Sequence, residues 1–376
     1  MHQKFKLCSF FLFIPIVSLI AQNTSWEIEV DNQIFGNGTN QNFINVFVFG
    51  GELSAKTIDD NSNLLGTKNK LFASSTMRGK LRVDSAQSIS LDYQFLSHSV
   101  YSKNAFDLLF KGNQSSKKQV NVGDFVLNRW RYFGLNYHKS WHEKNKNITI
   151  SFGPQFVLGY NHARGNISYQ TNDQSYATFV DGDGQARLQN NSQGLLGLGL
   201  ATGISYEKKL VNKQSIGFTL KDFGFFSTIK NIRNLSFNGS GSFEGQKIEW
   251  KNGRLVSLVN GIDSISESLN WSDDRKRYTG MLPFSLSFHF NKQLDMQKLK
   301  SWDLLAQSNP LVNFIYLENI LKFKHLQTGL GFSNALSPYT IFGIQKGQIS
   351  CRINGLESGL IKSMPSNLGF AIAWIN

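Results

Sequence analysis

The stretch NITISFGPQFVLGY, Asn147 to Tyr160, decides the fold. Read at period two, one face carries Ile148, Ile150, Phe152, Pro154, Phe156, Leu158 and Tyr160. The other carries Thr149, Ser151, Gly153, Gln155, Val157 and Gly159. Successive side chains of a strand point to opposite faces, so this is a strand with one apolar and one polar side. Its length matches the ~9–11 residues, or a little more, that cross a bilayer as a tilted strand.

The same code recurs outward from that stretch. Ile89, Leu91, Tyr93 and Phe95 alternate with Ser88, Ser90, Asp92 and Gln94; Phe133, Leu135 and Tyr137 alternate with Gly134, Asn136 and His138. From Leu196 to Glu207, Leu196, Leu198, Leu200, Ile204 and Tyr206 oppose Gly197, Gly199, Ala201, Gly203, Ser205 and Glu207, with Thr202 interrupting the apolar face. Ile216, Phe218 and Leu220, then Phe284, Leu286, Phe288 and Phe290, then Leu326, Leu330 and Phe332 continue the series. Near the C-terminus, Leu368, Phe370, Ile372 and Trp374 alternate with Gly369, Ala371 and Ala373. This aromatic strand resembles the assembly signal of barrel proteins, although Asn376 and not an aromatic residue follows it.

A soluble sandwich alternates too, but two details favour a membrane barrel. The apolar faces end in aromatics such as Tyr160, Tyr206 and Phe290, as interfacial girdles do. The opposite faces hold Asp92, Gln94, Gln155, Glu207 and His289, which would be costly in a dry sandwich core. A water-containing lumen would accommodate them. The expected fold is therefore all-β, a transmembrane antiparallel barrel of about 12–14 strands, an even number being favoured.

Met1 to Lys6, with Lys4 and Lys6, precedes the apolar run Leu7 to Ala21, the pattern of a secretory signal. The run is shorter than the ~20 residues of a spanning helix. The expected division is residues 1–21 as signal peptide and 22–376 as one barrel domain, since no linker divides the remainder. Cys8 lies too early for lipidation, and Cys351 alone remains after cleavage, which excludes an intramolecular disulfide. Phe at 31 and Gly at 33 dominate a chain with only 6 Pro and 17% charged residues, a composition suited to strands alternating between lipid and lumen.

The polar stretch Gln170 to Gln193 reads as a long external loop. Gly253 to Asp274 and Asp295 to Pro310 read as mixed segments holding short helices, one through Leu299, Trp302 and Leu305. Phe43 to Leu53 reads as a partly buried N-terminal plug or a first strand. The net charge of +13 is scattered, so it marks solvated rims, with lipopolysaccharide phosphates as the anionic partner and nucleic acid excluded.

Chemistry-bearing patterns are sparse. His138 and His142 are four apart, but in a strand and its turn, and the seven histidines have no zinc spacing. Asp181-Gly-Asp183-Gly lacks the remaining calcium ligands and the closing Glu. Ser97, His98 and Ser99 point alternately to opposite faces. No catalytic residue, metal site or cofactor is expected, and the ligand-binding residues are unknown at this stage.

The order of motifs carries a resemblance. QNFINVFVFGGEL (Gln41 to Leu53), LDYQFLSHSVYSKNAFDLLFKGN (Leu91 to Asn113), LNRWRYFGLNY (Leu127 to Tyr137), LKDFGFF (Leu220 to Phe226), SFNGSGSFEGQKI (Ser236 to Ile248) and YTGMLPFSLSF (Tyr278 to Phe288) together resemble an outer-membrane barrel family of Bacteroidota-type bacteria. Its members look like distant relatives of long-chain fatty-acid transporter barrels and of type IX secretion shuttle barrels. The resemblance implies an outer-membrane barrel with a strand kink at Lys221, Asp222 and Gly224 and a strand opened by Leu282 and Pro283. It implies no activity, and the Asn-Pro-Ala stretch of the fatty-acid transporters is missing here. Two roles follow as expectations: passage or binding of a hydrophobic or small solute, or an accessory barrel that binds an envelope protein partner.

Overall fold

The computed structural model describes residues 25–37, 43, 53–111, 119–171, 177–189, 194–244, 250–251, 254–255, 270–294, 296, 299–334, 337–355 and 367–375. In chain order its strands are β1 (Trp26–Gly36), β2 (Asn69–Arg82), β3 (Gln87–Tyr101), β4 (Gln119–Glu143), β5 (Lys146–Thr171), β6 (Ala177–Leu188), β7 (Gly197–Lys209), β8 (Gln214–Thr228), β9 (Ile232–Glu244), the hairpin β10 (Trp250–Lys251) and β11 (Arg254–Leu255), β12 (Ser272–Lys276), β13 (Thr279–Met281), β14 (Ser285–Gln293), β15 (Leu299–Asn309), β16 (Phe314–Phe323), β17 (Leu326–Ser333), β18 (Ser337–Lys346), β19 (Ile349–Asn354) and β20 (Asn367–Ile375). Two helices, α1 (Ala55–Leu64) and α2 (Lys103–Lys111), lie between strands.

The main-sheet strands pair antiparallel, and β1 pairs with both β2 and β20, so the sheet closes on itself; only β12 and β13, at the loop end, are paired on one side alone among the described residues. Closure removes the unpaired backbone groups that would otherwise face lipid. Three walls are broken along their length: β6 continues into β7, β8 into β9, and β12 through β13 into β14. Counting each as one stave gives a closed 14-strand barrel.

One end of the barrel carries tight turns, such as Glu143 to Lys146 and Lys346 to Ile349. The opposite end carries the longer connections and both helices. The staves are unequal. β4 and β5, with 25 and 26 residues, are about two and a half times as long as β16, with 10. β5 pairs with β7 along its lower half and with β6 along its upper half, so β4, β5, β6 and β9 stand above the rest as a tall wall at the loop end.

Outward residues form an apolar belt. Leu91, Leu135, Phe152, Leu200, Phe225, Leu330 and Ile344 are exposed on it, while the alternate positions are buried inside. Among the described residues, no helix is long and apolar enough to cross a membrane, which says nothing against crossing by strands.

The expected kink is present: Asp222 takes the left-handed conformation at φ 61°, and the β7–β8 register shifts between Thr202 and Ile204. Other expectations need correction. Tyr160 is not an outward girdle residue but is 5% exposed, inside the barrel. A bulge at Leu158 pairs Arg131 with Gly159 and then Tyr132 with Val157, and the extra residue inverts the alternation beyond it. Leu299, Trp302 and Leu305 lie on β15 and not on a helix. Leu305 is an apolar inward residue there, which disguises the period of two.

Gln170 to Gln193 is not a loop throughout, because β6 occupies its centre. Beyond the belt both faces of a strand meet water, so pairing persists without apolar alternation. The first strand is β1, which places Phe43 to Leu53 in the β1–β2 connection. Of that segment only Phe43 and Leu53 fall among the described residues, both in the apolar cluster with Leu65 and Phe106 at the loop end. The signal segment 1–21 and residues 256–269 lie outside the described residues.

Candidate functional site: the lumen of the barrel

Lumen-facing polar residues are paired with one another. On β2, Arg78 donates through Nε to Asp92 on β3 at 2.5 Å and through Nη1 to Glu29 on β1 at 3.4 Å. Asp92 also accepts from Ser90 Oγ (2.7 Å) and from Asn136 Nδ2 on β4 (2.9 Å). Gln155 on β5 donates to Asn136 Oδ1 at 2.9 Å, and Ser90 shares a hydrogen bond with His138 Nε2 at 2.8 Å. One network thus spans five neighbouring staves. Beside it, a separate bond crosses the lumen: Gln94 Nε2 donates to Asp222 on β8 at 2.6 Å, and Tyr132 Oη donates to Gln94 Oε1 at 2.9 Å.

A second network lines the opposite wall. Glu318 on β16, 1% exposed, accepts from Tyr339 Oη on β18 and from Arg352 Nη1 on β19, each at 3.0 Å. Tyr316 Oη donates to Gln307 at 2.7 Å. On β1, Gln33 donates to Asp31 Oδ2 at 3.1 Å, while Asp31 Oδ1 is buried without a hydrogen-bond partner. The polar lumen face is therefore tolerated through pairing and charge neutralisation, where the sequence suggested water.

The glycines of this face do not leave space. A Cβ at Gly134 would meet Gln155 Oε1 at 2.2 Å, one at Gly217 would meet the His289 ring at 1.9 Å, and one at Gly331 would meet the Tyr339 ring at 2.1 Å. Each glycine lets a neighbour's long side chain lie flat against the wall.

An aromatic layer closes the loop-end side of these networks. Phe72 on β2 stacks on Phe314 of β16, with centroids 3.9 Å apart and planes within 3°. β2 and β16 are separated by five intervening staves even along the shorter way round the barrel, through β1, β20, β19, β18 and β17, so the stack bridges the lumen from wall to wall. Phe35 on β1 lies 5.2 Å from Phe314, 5.8 Å from Tyr316 and 5.2 Å from Tyr339. The same buried cluster continues through Trp130, Tyr132 and Tyr160 to Phe226 and Leu282. Tyr160 stacks on Tyr278 at 5.1 Å, and Arg187 sits 4.7 Å from the Tyr278 ring, a cation–π contact.

Above the layer, Phe43, Leu65 and Phe106 form a separate apolar cluster with Leu53, Ile58, Tyr101 and Phe110, between the helices and the upper end of β3. Ser54 caps α1 by accepting from the Thr57 amide at 3.1 Å, and α2 packs Ala105 and Leu108 against Val122 and Ile167 of the tall wall.

Among the described residues, no three His, Cys, Asp or Glu side chains come together as a metal would require. Asp181 and Asp183 lie on β6 opposite Ser168 and Asn166. His98 is buried in the lumen, while the flanking Ser97 and Ser99 face outward, as their alternation predicted. Asp31, Arg78, Asp222, Glu318 and Arg352 were not singled out as a site by sequence. Their signal is a charge at an inward position of a strand whose outward neighbours are apolar, as with Arg352 between Cys351 and Ile353.

No family model matches the chain, and no curated protein matches it. Solved structures of similar outline include the Pseudomonas putida toluene transporter TodX, at 8% identity over 96% of this chain and 91% of that one, TM-score 0.39. The Ralstonia pickettii toluene transporter TbuX has 7% identity over 95% and 90%, TM-score 0.42. The translocator domain of the autotransporter NalP from Neisseria meningitidis has 5% identity over 98% and 94%, TM-score 0.31.

Proposed function

We propose that this chain is an outer-membrane barrel that binds or passes a small hydrophobic solute, with the aromatic layer as its selective constriction. The closed sheet and its outward apolar belt fit a bilayer, and exported barrels of this build belong to outer membranes. The observation that carries the solute class is the layer itself. A diffusion pore for polar solutes has a polar, water-filled interior, whereas here Phe35, Phe72, Phe314, Tyr316 and Tyr339 meet across the lumen. An apolar or aromatic solute can exchange for these ring contacts at little cost, while an ion would lose its hydration there. The apolar cluster under the helices offers such a solute a first contact at the loop end. No step of this function needs a catalytic group.

The test is uptake by proteoliposomes. Toluene or a medium-chain fatty acid should enter faster than into protein-free liposomes, while chloride and glucose should not. Equal permeation of glucose and toluene would overturn the proposal.

The wall-to-wall stack also favours a second reading, a filled barrel that serves as a scaffold for an envelope protein partner at its loop end. That reading predicts no solute flux and a stable complex recovered from gently solubilised membranes.

A further inference from the structure

The tall wall carries two arginines on its outer surface. Arg129 and Arg131 alternate on β4 with Asn128, Trp130 and Tyr132, all buried inside, so both guanidiniums lie on the belt side. Arg129 stacks over the outward ring of Phe95 on β3, 5.5 Å from its centroid. Arg131 reaches across Gly159, where a Cβ would come within 3.6 Å of its Nε, and its Nη2 donates to the Leu158 carbonyl at the bulge at 3.3 Å. Its Nε has no hydrogen-bond partner, and among the described residues neither arginine pairs with a carboxylate.

Their height is informative. Outward positions on β5 are apolar from Ile148 to Phe156 and then become Gly159 and Asn161; on β3 they are apolar from Ile89 to Phe95 and then become Ser97 and Ser99. The apolar run on β5 is close to the ~9–11 residues of one bilayer crossing. Arg131 pairs with Phe95 and Gly159, and Arg129 with Ser97 and Asn161, so both stand at the loop-end edge of the belt on three adjacent strands. Two like charges about two residues apart, beside aromatic rings and without an acid, are completed by an anion that has an apolar body below it.

We propose that Arg129 and Arg131 hold the phosphate of a phosphorylated membrane lipid whose acyl chains lie down the Phe133, Phe152 and Phe156 strip. This rests on the membrane placement proposed above and adds a site to it.

Native mass spectrometry of the purified barrel with bis-phosphorylated lipid A should show one retained lipid. Arg129→Gln with Arg131→Gln should lower retention at least tenfold, and dephosphorylated lipid A should bind wild type no better than the phosphorylated form binds that variant. Lys139→Gln, at the other edge of the belt, should change nothing. Arg129→Lys with Arg131→Lys should retain part of the binding and serves if the glutamine variant fails to fold, judged by gel mobility before and after heating. Equal retention by wild type and the folded variant overturns the site. Equal retention of the dephosphorylated lipid does so too, as does arginine-dependent binding of inorganic phosphate without lipid preference. Flotation of the barrel away from outer-membrane fractions would instead overturn the placement, since the lipid measurement is made on purified protein.

Discussion

Replacing Phe72 and Phe314 by alanine should open the barrel. Each ring is almost fully buried, and each also touches Phe35, at 6.4 Å and 5.2 Å between centroids. Truncating a buried Phe to Ala costs about 3–5 kcal/mol. Because the two rings face each other at 3.9 Å within 3°, part of that cost is shared. A stacked pair contributes about 0.5–1.5 kcal/mol beyond area burial, so the double variant should fall short of the summed single costs by roughly that amount. Reversible urea unfolding in lipid reads these differences. In planar bilayers the wild type should show only background ion conductance, each single variant brief openings, and the double variant a steady open level. Strictly additive destabilisation together with a double variant that stays closed would refute both the bridge and its role as the constriction.

Arg352→Met should cost about 3–5 kcal/mol by leaving the Glu318 carboxylate buried without its cation, and adding Glu318→Gln should recover most of that loss, read by the same unfolding assay. Gly153→Val should abolish the heat-sensitive gel mobility of the folded barrel, because a Cβ there would stand 1.9 Å from the Leu135 carbonyl oxygen and must push β4 and β5 apart. At the loop end the Arg233 guanidinium, bound to both oxygens of Asp273, holds that carboxyl below its usual range, chiefly through these hydrogen bonds. A lowered folded-state value means the pairing is fully present above the unfolded carboxylate value of about 3.9 and is lost as pH falls below it. Exposed as it is, the pair contributes at most about 1 kcal/mol. Hydrogen exchange in β9 and β12 should therefore quicken slightly in acid, and Asp273→Asn should remove that step.

The barrel itself was legible because lipid and lumen impose opposite demands on alternate residues, and Ile148 to Phe156 or Leu368 to Trp374 record them directly. The kink at Asp222 was expected from the family resemblance, through the stretch Leu220 to Phe226 that helps carry it, and not from periodicity. What periodicity could not give was any event that shifts it. One extra residue at Leu158 turns Tyr160 from the lipid to the lumen, and one apolar inward residue, Leu305, makes a strand resemble a helix. The candidate site was less legible still. Phe72 and Phe314 each look like ordinary strand aromatics, and only the curvature of the closed sheet brings them into contact. The same holds for Gln94 and Asp222, whose pairing across the lumen depends on barrel circumference and stagger, which the sequence does not spell out locally.

The seam where Glu27 pairs with Ile375, and Trp26 meets the Trp374 ring edge-on at 4.3 Å, has a kinetic consequence. These partners come from opposite ends of the strand series, so they meet only after the longest loop in the molecule has closed. Until then the growing sheet exposes two raw edges, one at β1 and one at β20, each able to capture a strand from another copy. A protein with this seam should depend on a catalyst that shields those edges in transit. It should aggregate when β20 is weakened, even by changes such as Trp374→Ala that leave every lumen contact in place.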